Sequence, residues 1–179
     1  MSAHDSRKSD LQTIRIVLLL FIAALVASGI TAFPLLREME WLASWRGVEA
    51  PTDLGSLNGI DSWIVIVRDG LRVTYGRYPW LAYGTDWLAF AHLAIAVFFI
   101  GPVIDPVRNV WIIWAGLIAC AGIIPLAIIC GSVRGIPMGW RLIDCSFGVF
   151  GFIPLWFALR WARELEKESP QKTPYPPPR

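Results

Sequence analysis

His92 is the only histidine outside the first few residues, and it lies in an apolar run, residues 83–106, that also holds Tyr83 and Asp86. A second apolar run carries Arg141, Asp144 and Cys145. An ionisable group in hydrocarbon is costly unless it is paired, so such residues are functional candidates by default. Imidazole beside carboxylate is the chemistry of proton transfer or of polar-ligand capture. Arg141, three residues before Asp144, would share its helix face and hold the carboxylate charged. The expectation is therefore a cluster of His92, Asp144 and Arg141, with Asp86 and Tyr83 at its mouth, serving as a ligand or proton site. The same residues could act instead as interhelical glue, since such hydrogen bonds stabilise membrane bundles by about 0.6 kcal/mol on average.

Other chemistries find less in the chain. Cys120, Cys130 and Cys145 form no Cys-x-x-Cys pair and supply no four-ligand zinc set, and they read as packing residues. Haem held by two histidines would need a partner for His92 from a homodimer, a methionine or another subunit; with the cysteine pattern also giving no quinone-linked disulfide motif, no haem, quinone or metal is expected as a cofactor. There is no P-loop, Gly-x-Ser-x-Gly or His-Glu-x-x-His, so no hydrolase or nucleotide enzyme is indicated. Sixteen cations against fourteen anions, dispersed along the chain, exclude a nucleic-acid stripe.

These residues must be positioned by membrane helices. In 179 residues the hydrophobic fraction is 55 %, above that of soluble domains. Residues 1–13 are a polar lead and 14–36 the first span, too long an apolar run for a signal peptide. Residues 37–84 carry five Arg and six acidic residues and form the one long connection. Residues 85–104 are a second span, capped by Thr85 and Asp86. Asp105 and Pro106 then read as the N-cap and first turn of a third span, 107–130, closing on Gly131. A fourth span, 140–161, is followed by a charged, Pro-rich tail, 162–179. Gly148 and Gly151, on the face of Arg141 and Asp144, and Gly116 on span three permit close helix packing.

Within the long connection, Leu35 to about Trp45 fits one short helix. Ile60, Trp63, Ile64, Val67 and Leu71 fit the apolar face of another that starts near Ser56 or Asn58, with Asp61, Arg68 and Arg72 turned away. A strand over residues 62–67 is the alternative, because Trp-Ile-Val-Ile-Val is β-rich. With four spans the termini share a side. That side holds nine of the sixteen cations, which makes it cytoplasmic and the 37–84 connection extracytoplasmic. His92 then lies about 9 Å below the start of its span and Asp144 about 6 Å below Trp140.

Residues 83–92 and 134–151 resemble stretches of uncharacterised small multi-pass membrane proteins of bacteria. The resemblance implies a bacterial inner membrane and carries no activity. The expected architecture is an all-α, four-transmembrane-helix bundle with short amphipathic helices in an extracytoplasmic loop. The function expected is a non-catalytic accessory or assembly component of a membrane complex, in contact with lipid, other subunits or a second copy. A small transporter or redox-linked protein built on the His92 cluster is the alternative.

Overall fold

The computed structural model describes residues 3–49 and 57–168. Ser56, a candidate helix start, and the Pro-rich end of the tail lie outside the described residues. In order, the helices are α1 (Ala3–Ala32), α2 (Leu35–Trp45), α3 (Gly59–Arg77), α4 (Pro79–Phe98), α5 (Ile100–Ile104), α6 (Val110–Val133) and α7 (Met138–Glu168). The fold is all-α: no strand occurs among the described residues, and residues 62–67 lie inside α3. Four stretches are long and apolar enough to cross a membrane, Ser9–Ala32, Pro79–Ile104, Val110–Val133 and Met138–Lys167. This is a multi-pass membrane protein.

The chain forms two compact units, one from residues 1–23 and 97–179, the other from residues 24–96. In the first, α6 and α7 form the principal helix pair, and small residues let their backbones approach. A Cβ added at Gly148 would stand 2.6 Å from the carbonyl oxygen of Cys120. At Gly151 it would stand 2.8 Å from the Cys120 sulfur, and at Gly116 it would meet Phe99 and Leu155. Phe99 also meets Phe21 of α1, with ring centroids 4.7 Å apart.

Several boundaries differ from those read in the sequence. Asp105 does not cap α6. Its Oδ1 accepts the Arg108 amide at 3.0 Å, closing a turn, while the Asn109 side-chain amide donates to the carbonyls of Gly101 and Asp105. Those bonds delay the helix to Val110. At its far end α6 continues past Gly131 to Val133, and Gly135, at a φ of +68°, makes the Schellman close. There the Gly135 amide donates to Ser132 and the Ile136 amide to Gly131.

In the second unit, α4 begins at Pro79, not at Thr85 and Asp86, because proline fits the first helical position, where no amide partner is needed. Thr85 is therefore interior, its hydroxyl donating back to Leu81 and sharing a hydrogen bond with Tyr75. Helix α2 also closes in a Schellman motif: Gly47 at φ +70° donates to Ser44, and Val48, buried, donates to Ala43.

Gly148 tests the close approach of α6 and α7. Replacing it by alanine forces a Cβ against backbone and should destabilise the protein by about 1–3 kcal/mol, seen as a lower melting temperature in detergent. Gly122, with nothing within 4 Å of an added Cβ, should accept alanine without loss.

Candidate functional site

The residues expected to form one cluster fall in both units. Tyr83, Asp86 and His92 lie on α4 in the unit of residues 24–96, whereas Arg141 and Asp144 lie on α7 in the other. Each group has local company. The Nδ1 of His92 is 2.9 Å from the carbonyl oxygen of Leu88, one turn back on its own helix. A carbonyl only accepts, so Nδ1 is the donor of this bond. Tyr83 meets Trp87 edge to face at 6.1 Å, and Trp87 meets Phe90 the same way at 6.2 Å. With Phe33 and Asp86 these aromatics line a shallow cavity of about 290 Å³.

On α7 the expected Arg141–Asp144 ion pair is absent among the described residues. Gly131 of α6 leaves room for the aliphatic stem of Arg141 to cross it. That path carries the guanidinium away from Asp144 to the Ser132 hydroxyl, to which it donates at 2.5 Å. Ser132 passes the chain of bonds on to the Ile128 carbonyl at 2.7 Å. Asp144 instead lines a cavity of about 310 Å³ beside Arg134, Cys130 and Ile136.

The most developed polar assembly lies elsewhere, between α2 and α3. Asn58 is the N-cap of α3, its side-chain oxygen accepting the amides of Ile60 and Asp61. Its amide nitrogen donates to Asp61, and Arg46 grips the same carboxylate in two-pronged fashion, Nε to Oδ1 at 2.8 Å and a terminal nitrogen to Oδ2 at 3.1 Å. The bidentate geometry is the strong form of this contact. The Arg46 hydrogen bonds hold the Asp61 carboxyl below its ordinary value of 3.8, and burial opposes them only in part. Asp61 in turn raises Arg46.

Two more arginines complete the join. Arg68, only 5 % exposed, donates to the carbonyls of Val48 and Glu49, just past the end of α2, and to its neighbour Asp69. Arg72 reaches Glu40 at 2.7 Å. The face that α3 turns inward is thus Asp61, Ile64, Val65 and Arg68, and Ile60, expected inside, is 66 % exposed. The reason is that Asp61 finds donors on Arg46 and Asn58, and Arg68 finds acceptors in the carbonyls of Val48 and Glu49 just past α2, which removes the cost of burying them. The i, i+3, i+4, i+7 spacing of this mixed stripe, with Arg46 opposite in sign to Asp61 and Glu40 opposite in sign to Arg72 one turn on, was the signal for it.

Chemically, this assembly is satisfied and positional. Among the described residues no three His, Cys, Asp or Glu side chains converge to hold a metal. Comparison with known proteins adds no assignment: no family, curated protein or solved structure matches the chain.

Because the folded Asp61 carboxyl sits below its ordinary value, its contribution to stability is complete above about pH 4 and is lost as the pH falls through the lower folded value. Asp61→Asn removes it at every pH. The gap in melting temperature between wild type and Asp61→Asn should therefore be constant from pH 7 to about pH 4 and shrink below that.

Proposed function

We propose that this chain is a non-catalytic accessory or assembly component of a membrane complex, and that the α2–α3 hairpin is the surface on which a partner subunit docks. The observation that carries the proposal is a pair of aromatic side chains on α2. Trp41 and Trp45, one turn apart, stack with centroids 6.3 Å apart and planes 5° apart, and are 69 % and 71 % exposed. The opposite face of α2 buries Met39 and Ala43. Helix α2 is too short to cross a bilayer, and α3 carries too many charges along its length. Rigid aromatic pairs of this kind anchor interfaces, and the ion-paired hairpin behind this one lowers the ordering cost of binding.

The cation distribution supports cytoplasmic termini with the hairpin on the outer side, and the resemblance of residues 83–92 and 134–151 supports a bacterial inner membrane. In the unit of residues 1–23 and 97–179, Arg15 donates to the last carbonyls of α5, Val103 and Ile104, and Arg15, Arg108 and Leu165 line one cavity. Leu11 and Arg15 of α1, the α5–α6 turn and Leu165 near the end of α7 are therefore neighbours at one end. The local bonds of His92 and Arg141 weigh against a proton path through both.

The test is purification of the full chain from its own membrane in mild detergent, beside the double variant Trp41→Ala/Trp45→Ala. A stoichiometric integral membrane partner should accompany the wild type and be reduced about tenfold or more with the variant, while the variant remains inserted and melts normally. A wild-type protein that runs as a monomer or homodimer carrying a small molecule, or a variant that keeps its partner, would overturn the reading.

A further inference from the structure

The end of α7 has a feature that partner docking by the hairpin leaves unused. Trp156, Leu159, Arg160, Arg163, Glu164 and Lys167 line a cleft of about 260 Å³. We propose that this cleft holds the headgroup of an anionic phospholipid.

Depth is the first argument. From Trp140, near the start of this span, to Arg160 is twenty residues, a rise of about 30 Å, and beyond Asp144 no residue on the way is charged. The hydrocarbon core is about 30 Å thick. Arg160 therefore emerges near the boundary between acyl chains and headgroups, and Arg163 and Lys167 stand about 4.5 and 10 Å farther out along the axis. Phosphodiester groups occupy that layer. Trp156, one turn deeper, is at the level where interfacial aromatics sit.

Charge and commitment are the second. Three cations face one carboxylate in the cleft. Arg163 is held in place, its guanidinium lying over the Trp114 ring of α6 at 5.1 Å. Arg160 makes one long contact, 3.3 Å, to Glu164, with both side chains more than half exposed, so most of its donors are free for a phosphate. Such an exposed pair is weak and easily re-formed around a ligand. By contrast Arg15, at the same end, is spent on backbone carbonyls.

The lining decides between a lipid and a free anion. Trp156, about half exposed and backed by the buried Leu159, forms an apolar wall on the acyl side of the cations, which a soluble phosphate could not use and a glycerol backbone with its first methylenes could. A zwitterionic headgroup would bring its own cation into a site already rich in them.

Native mass spectrometry of the full chain, titrated in detergent with phosphatidylglycerol or phosphatidylcholine, tests the proposal. Phosphatidylglycerol should be retained well above phosphatidylcholine. The exposed pair Arg160→Gln/Lys167→Gln should reduce that retention about tenfold, with Arg134→Gln, at the opposite end of α6, leaving it unchanged. Equal retention of the two lipids, undiminished retention in the double variant, or displacement of phosphatidylglycerol by millimolar inorganic phosphate would each overturn it. The lipid comparison and the phosphate competition need only the wild-type protein, so they decide the matter even if the variant folds poorly.

Discussion

A guanidinium buried between two short helices must be matched by acceptors, and the connection between the first two spans is arranged to provide them. Arg68 is shielded from water and answered by two backbone carbonyls left open where α2 ends, at Val48 and Glu49, and by Asp69. Those carbonyls point the right way because Gly47 takes a positive φ and reverses the chain. The Arg46–Asp61–Asn58 node then fixes the start of α3 against the end of α2. Charged hydrogen bonds, more than apolar area, set the register of this hairpin. Breaking such a buried network is expensive because the remaining group stays buried and unmatched.

The membrane spans are held by a different logic. Lipid is as apolar as leucine, so contact between helices gains little from hydrophobic burial and depends on close backbone approach. Gly148 and Gly151 against Cys120, and Gly116 against Phe99 and Leu155, supply that approach in the unit built on α6 and α7. In the other unit Gly29 does the same beneath Ala89 and Leu93. The protein thus combines two kinds of adhesion, small-residue contacts within the spans and ionic contacts outside them. An ionic join holds rigid the hairpin that carries the exposed Trp41 and Trp45.

Much of the architecture was legible in the sequence, because length and hydropathy identify spans without detailed packing. The helical class, the four membrane-length stretches, the short helix from Leu35 to Trp45 and a second helix starting near Asn58, one of two starts expected, all follow from local rules. Boundaries were less legible: Pro79 outweighs Thr85 and Asp86 as a helix start, and Asn109 delays α6 by bonding back to Gly101 and Asp105. The polar site was misread for a physical reason. Hydrophobic periodicity assumes that charges face water, and α3 buries Asp61 and Arg68 because α2 answers them. The Arg141–Asp144 pair failed similarly, since nothing in the spacing shows that Gly131 opens a path for the arginine to Ser132.

The central claim, that ionic contacts pre-organise the hairpin that carries the exposed tryptophans, is tested most directly by exchanging a pair of charges. Amide hydrogen exchange would be followed across residues 35–49 and 57–77 in the wild type, in Arg46→Asp, in Asp61→Arg and in the double exchange. Each single reversal, which sets like charges against one another, should raise exchange throughout both helices, and the double exchange should restore most of the protection. Single variants that exchange as slowly as wild type, or a double exchange no better protected than the single reversals, would contradict the account.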